Sequence, residues 1–335
     1  MRRLWPLLII VFLLALCTSL ITAGSTVAVL SLLVRASTPG DTVPARELAF
    51  PDSHFAQVMG VEVHYQEAGQ GEPAFLLLHG LGASTFSWRD VLPMLEEYGR
   101  VVAFDRPGFG LSERPLAGEY DPQRNPYSPE FQADLTVALM DELGIERAVL
   151  VGHSAGGAAA VLTALRHPDR VQALILVSPA VYEMGRRLPD WAYPLLRTPP
   201  GRQLGLLLLR LVASRGMALL DRAYFDPSLI TPEIREGYSR PLQVHNADRA
   251  LWEFFMASSG PDLGSQLGAI TVPALVITGE DDRIVPAGSS ARVAAGLPRG
   301  RLEVIPNCGH IAHEECPGEF EKLVALFLAE QAIAP

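Results

Sequence analysis

The stretch Val149-Leu150-Val151-Gly152-His153-Ser154-Ala155-Gly156-Gly157 decides the fold. Ala148 to Val151 is a continuous apolar run, which suits a strand buried on both faces, and the Ala-rich run Gly157 to Arg166 favours helix. Between them stands G-x-S-x-G. A serine at so sharp a strand-to-helix turn needs a strained backbone. Side chains two residues before and after it would collide, so Gly152 and Gly156 form the elbow around it. Ser154 is then pushed out at the carboxyl end of a sheet, as a nucleophile would be. The amide of Ala155, at the helix N-terminus, is placed to stabilise an oxyanion. The pentapeptide alone is only moderately specific; the strand before it and the helix after it separate Ser154 from an ordinary turn serine. His153 reads as an elbow-packing residue.

Outward from this point, short apolar runs recur at Ala74 to Leu78, Val101 to Phe104, Leu174 to Val177, Ala274 to Thr278 and Leu302 to Ile305. Helical patterns separate them, the clearest being Pro129 to Leu143, with Phe131, Leu135, Leu139 and Leu143 on one face. This alternation predicts an α/β fold whose mostly parallel sheet carries helices on both faces. Phe55 to Tyr65 alternates apolar and polar residues like a hairpin turning at Gly60. Val181 to Thr271 contains no clear strand and several helical stretches, among them Leu204 to Val212, and reads as an inserted helical cap. The alternative is an expanded crossover without function. The expected organisation is an anchor or signal at 1–35, a linker at 36–50, a core at 51–180 and 273–335, and the cap at 181–272.

Two further strand ends supply chemistry. Strand Ala74 to Leu78 runs into His79-Gly80-Leu81-Gly82-Ala83-Ser84, a glycine-flanked turn that lets the Leu81 amide act as second oxyanion donor. His79 reads as a brace for that loop. A serine hydroxyl is a poor nucleophile until a histidine takes its proton, and the histidine needs a carboxylate to fix its tautomer. Ala274 to Thr278 leads to Gly279-Glu280-Asp281-Asp282, and Leu302 to Ile305 leads to Asn307-Cys308-Gly309-His310. Asp282 and His310 are the expected acid and base. Glu280 and Asp281 read as solvated turn residues, and His313 as part of the next helix. The remaining histidines read as surface or cap residues. Cys308 and Cys316 flank His310 and are read as unpaired thiols, with pairing as the alternative.

The N-terminal stretch carries no charge from Leu4 to Val34, which as a helix would be about 46 Å long against a hydrocarbon core of about 30 Å. It reads as a single-pass anchor, because the run stays apolar well past Ala23. A cleaved signal peptide, with Arg2 and Arg3 as its basic start, and secretion of the mature chain is the alternative. Leu16 before Cys17 disfavours a lipoprotein. Arg2, Arg3 and the amino terminus outweigh Arg35 and Arg46, so the catalytic domain is expected outside the cytoplasm. The chain has 335 residues and a formal net charge of −10. Its basic residues are scattered, which argues against nucleic acid as a partner. No cysteine or histidine spacing resembles a metal site.

Several stretches together resemble the α/β-hydrolase superfamily, in its esterase- and lipase-like branch with a helical cap, over about Val58 to Ala329. They are HGLGAS at His79 to Ser84, DRPGFGLS at Asp105 to Ser112, GHSAGG at Gly152 to Gly157, GEDDRIVP at Gly279 to Pro286 and NCGHIAHEECP at Asn307 to Pro317. The resemblance implies a triad of Ser154, Asp282 and His310 and oxyanion donors at Leu81 and Ala155. It gives Asp105 a structural role in its loop. Relatives acting on haloalkanes or epoxides carry Asp at the elbow, so Ser154 speaks against those activities. The expected reaction is ester hydrolysis through an acyl-enzyme, without metal or organic cofactor. The substrate is expected to be a small ester or lipid-like molecule with a hydrophobic part, to which Leu204 to Leu209 and Trp252 point. C–C, amide or lactone cleavage, or acyl transfer, by the same triad is the alternative. A non-catalytic binding protein is the third reading, and the oligomeric state is left open.

Overall fold

The computed structural model describes residues 42–183, 189, 191–213, 216–257 and 260–333. The expected anchor at Leu4 to Val34 lies outside the described residues. Among those described, no helix is long and apolar enough to cross a membrane.

Eight strands form one sheet: β1 (His54–Val58), β2 (Val61–Ala68), β3 (Ala74–Leu78), β4 (Arg100–Phe104), β5 (Ala148–His153), β6 (Val171–Val177), β7 (Ala274–Gly279) and β8 (Gly300–Ile305), in the order β1-β2-β4-β3-β5-β6-β7-β8. β1 pairs antiparallel with β2, and β2 antiparallel with β4; all later pairings are parallel. The helices around the sheet begin with α1 (Val91–Leu95), α2 (Pro129–Glu142) and α3 (Ala155–Arg166). Ser128 starts α2 by accepting a hydrogen bond from the Phe131 amide, and Pro129 fits its first turn. Gly144, at φ +68°, ends it.

Side chains alternate across each strand, so one face of the sheet carries Leu76, Leu78, Leu150, Leu174, Leu176 and Val276, packed with Phe131, Leu135 and Leu139 of α2 and Val161 of α3. The other face carries Phe75, Leu77, Val149, Val151, Ile175 and Ile277, packed with Trp88, Leu95, Phe320 and Phe327. Both faces are dry. That is why the strands read as unbroken apolar runs.

Between β6 and β7 the described chain is helical, with α4 (Ala192–Arg197), α5 (Pro199–Ala213), α6 (Gly216–Ala223), α7 (Pro232–Ser239) and α8 (Ala247–Ala257). Residues 191–213 belong to a unit of their own, in which Thr198 joins α4 to α5 by donating to Leu195 O and accepting from the Gly201 amide. The core is completed by α9 (Ala287–Gly296), α10 (Ala312–Glu315) and α11 (Pro317–Glu330). The second half of the expected linker is held in place: Val43 bridges to Val244, and Thr42 Oγ1 lies 2.7 Å from His245 Nδ1.

Buried polar groups brace the core, and one departure from the sequence reading arises here. His64, read as a surface or cap residue, is fully buried instead. Its Nδ1 lies 2.7 Å from Asp105 Oδ2 because β2 pairs with β4 just before Asp105. Asp105 also accepts from the Thr85 and Leu111 amides, so one carboxylate ties β2, the turn at Thr85 and its own loop together. Glu314, in the first turn of α10, is buried and receives Arg89 at 2.6 Å, Tyr224 at 3.3 Å and the Tyr238 hydroxyl. It links α7 and the end of α6 to the core. His79 and His313 are buried as well, and burial pulls their imidazoles down to about 4 and about 3.

Two outcomes follow. Asp105→Ala leaves the His64 ring and two amides without their acceptor, and is expected to lower unfolding free energy by about 3–5 kcal/mol; a loss below about 1 kcal/mol in urea titrations would contradict this bracing. Because His79 and His313 are neutral when folded but take up a proton near 6.5 when unfolded, stability falls as pH drops below that value. Each ring contributes up to about 1.4 kcal/mol per pH unit. Urea midpoints measured from pH 7.5 to pH 5 should fall steadily; a flat profile would refute it.

Candidate active site

Ser154 sits between β5 and α3 at φ +52° and ψ −117°, backbone torsions that a non-glycine residue adopts only when its surroundings impose them. The surroundings are backbone. A Cβ on Gly156 would lie 2.0 Å from Leu78 O, and one on Gly152 would lie 2.7 Å from Gly156 O and from Gly157 Cα. Only glycines permit α3 to start this close to the ends of β3 and β5. The Ser154 amide donates to Val177 O at 2.9 Å, which fixes the turn against β6.

The turn after β3 lies directly beside this elbow. A Cβ on Gly80 would stand 3.3 Å from Ser154 Cβ and 2.8 Å from His153 Nδ1, so the Gly80 backbone flanks the serine. Ala155 is the first residue of α3, and its amide has no acceptor within the helix. His79 holds the turn: its Nδ1 lies 2.7 Å from Gly80 O, and its Nε2 accepts from the Arg106 amide at 3.0 Å.

Asp282 and His310 meet. His310 Nδ1 lies 2.7 Å from Asp282 Oδ2, with both residues buried. Asp282 Oδ1 accepts from the Ile284 and Val285 amides at 2.8 Å each, which fixes the carboxylate and leaves its other oxygen for the imidazole. Glu280 is exposed, and Asp281 is partly so. His313 faces no carboxylate of this turn; its ring packs on Trp88, His153 and Phe320. His153 packs 4.8 Å from the His310 ring, and burial keeps it neutral, well below the ordinary imidazole range. Among the described residues, Ser154 Oγ has no hydrogen bond to His310. The acid and base are joined, and the residue before the serine meets them: His153 Nε2 lies 3.2 Å from His310 O.

The loop carrying His310 is held more firmly than its sequence indicates. Cys308 and Cys316, read as unpaired thiols, form a disulfide with a Cα separation of 6.4 Å. The expectation failed because the intervening residues coil into α10, which brings the cysteines together while His310 still points to Asp282. Glu315 accepts from the Gly309 amide at 2.6 Å and the Asp226 amide at 2.8 Å, and the His310 amide donates to Ala223 O at 2.7 Å. Cys308, Glu315 and Cys316 are grouped closely enough to suggest a metal site. With both sulfurs in a disulfide, they offer no thiolate ligand.

A cavity of about 40 Å³ opens beside Ala155, lined among others by Arg106, Gln132, Ala158, Leu162, Phe254 and Leu263. The Ser154, Asp282 and His310 side chains do not line it. Tyr127 and Phe254 supply its aromatic wall, and Trp252 does not line it. Arg106 and Gln132 were missed from sequence, although the charge directly after β4, at the sheet edge that carries Ser154, was a usable signal.

The comparisons agree with this architecture. The family model for the alpha/beta hydrolase fold matches residues 73–317. A 2-hydroxy-6-oxo-6-phenylhexa-2,4-dienoate hydrolase of Burkholderia cepacia is 34% identical over 281 residues, covering 80% of this chain and 91% of the relative. The crystal structure of a meta-cleavage product hydrolase from Pseudomonas fluorescens IP01 superimposes with a TM-score of 0.62 at 30% identity, covering 83% of this chain and 97% of that one. A membrane phospholipase A, described as a bacterial virulence factor, matches with a TM-score of 0.66 at 27% identity over 100% of both chains. The chain is thus a hydrolase belonging to the α/β-hydrolase fold family.

Proposed function

We propose that the protein is a serine hydrolase that cleaves the carbon–carbon bond beside a ketone in a small, conjugated diketone-type substrate, through an acyl-enzyme on Ser154. The observation that carries the catalytic part is the Asp282–His310 pair at 2.7 Å beside a strained serine elbow. The C–C bond is favoured over the ester expected from sequence by the similarity to dienoate and meta-cleavage product hydrolases across most of the chain.

In this mechanism His310 Nε2 takes the Ser154 proton as Oγ attacks the ketone carbon, and Asp282 holds the imidazole and stabilises its charge. The Leu81 and Ala155 amides receive the tetrahedral oxyanion. Collapse breaks the C–C bond. Its electron pair moves into the conjugated leaving fragment, which takes the proton from His310. Water, deprotonated by the same ring, then attacks the acyl carbon and releases a carboxylic acid and free Ser154.

An ester with a hydrophobic part is the second reading. It is favoured by the match to a membrane phospholipase A along the whole of both chains, which includes the apolar stretch Leu4 to Val34. In that reading the stretch anchors the enzyme and the catalytic domain lies outside the cytoplasm, where a disulfide such as Cys308–Cys316 persists.

Ser154→Ala should abolish fluorophosphonate labelling and turnover while leaving the melting temperature nearly unchanged; retained turnover would defeat the nucleophile assignment. Asp282→Asn should lower kcat by about 10²–10⁴, because the imidazole loses its correct tautomer. For the bond cut, kcat/KM for a vinylogous diketone acid should exceed that for every member of a p-nitrophenyl ester chain-length series. The reverse order would establish the ester reading instead.

A further inference from the structure

The cavity beside Ala155 carries donors that no group among the described residues satisfies. Arg106 and Gln132 are 2% and 4% exposed. Arg106 Nη1 donates to Gln132 Oε1 at 2.8 Å, which fixes the amide with its oxygen toward the guanidinium. Arg106 Nε and Nη2 and Gln132 Nε2 are then left without a hydrogen-bond partner among the described residues. The neighbouring carboxylate does not help, because Asp105 is engaged by the His64 ring and the Thr85 and Leu111 amides. The rings of Phe109 and Phe254 also stand close to the guanidinium, at 5.4 and 6.0 Å.

An unpaired buried cation normally costs several kcal/mol, and folded proteins seldom retain one without use. Burial pulls the Arg106 guanidinium down to about 10, so it remains charged at neutral pH. The rest of the lining is apolar or already bonded: Tyr127, for example, donates its hydroxyl to Pro115 O. A water occupies roughly 10–15 Å³ on the scale on which this cavity measures about 40 Å³, so the space suits a group of about three heavy atoms. A planar anion of that size matches the donors. The Nε and Nη2 edge of a guanidinium offers two parallel N–H bonds, the geometry that receives both oxygens of a carboxylate.

We propose that this cavity is a subsite for a carboxylate carried by the acyl part of the substrate, held by Arg106 Nε and Nη2 and by Gln132 Nε2. It lies beside Ala155, with Ala155, Ala158 and Leu162 forming its apolar wall. The anion neutralises Arg106, and its fixed distance from Ala155 selects how far the acid group stands from the carbonyl attacked. The inference rests on Ser154 as nucleophile but not on which bond is cut.

The test pairs monomethyl glutarate with dimethyl glutarate, which share the ester and differ in one carboxylate. The wild-type kcat/KM ratio of acid to neutral substrate should exceed that of Arg106→Met by about 100-fold, with Gln132→Leu intermediate and Arg106→Lys restoring part of the preference. Equal losses on both substrates would mean a merely structural arginine, and an unchanged ratio would overturn the subsite. A second readout avoids turnover: calorimetry should detect monomethyl glutarate binding to Ser154→Ala and none to Ser154→Ala with Arg106→Met. Binding retained in the double variant refutes the subsite while leaving Ser154 untouched. Turnover by Ser154→Ala refutes the nucleophile while the calorimetric comparison still judges Arg106. If Arg106→Met fails to fold, Gln132→Leu and Arg106→Lys carry the same comparison.

Discussion

The site depends on backbone approaching backbone with no room for a side chain. Gly156 against Leu78 O, Gly152 against the start of α3, and Gly80 against Ser154 bring β3, β5 and the helix to one point. Ser154 accepts an unfavourable φ of +52° as a result. That strain is maintained because the strands below it are buried on both faces and cannot shift independently. The same close packing puts the Gly80 backbone, the Ser154 side chain and the start of α3 within one small volume. Packing of the core therefore builds the nucleophile's half of the site.

The histidine arm is built differently. It is a loop, and loops hold geometry only when their polar groups are tied. Here Glu315 bonds two amides, Glu314 gathers Arg89, Tyr224 and Tyr238, and the Cys308–Cys316 disulfide closes the turn. Because Ala223 O receives the His310 amide, the end of α6 contributes directly to where the imidazole stands. Changes in the helical segment between β6 and β7 would thus reach the base without touching it.

Much of the sheet was legible in the sequence because both its faces are dry. Ala74–Leu78 was read with its observed bounds, while the apolar runs at Leu174 and Leu302 begin earlier, at Val171 and Gly300, where polar residues such as Gln172 and Arg301 still pair. The elbow, Asp282 and His310 were legible because each follows a strand end. The buried polar residues were not. His64, Glu314, Arg106 and Gln132 owe their burial to partners 26 to 225 positions away, and local pattern assigns such residue types to the surface. The disulfide was missed for a related reason: the eight-residue separation suits a bridge only when the helix between is known.

The central claim is that a covalent acyl group passes through Ser154. The most direct measurement is rapid acid quench of the enzyme during turnover, followed by peptide mass spectrometry. The account predicts the acyl mass on the peptide containing Ser154, accumulating when water attack is slowed. Turnover with no adduct at residue 154, or an adduct on another residue, would contradict it.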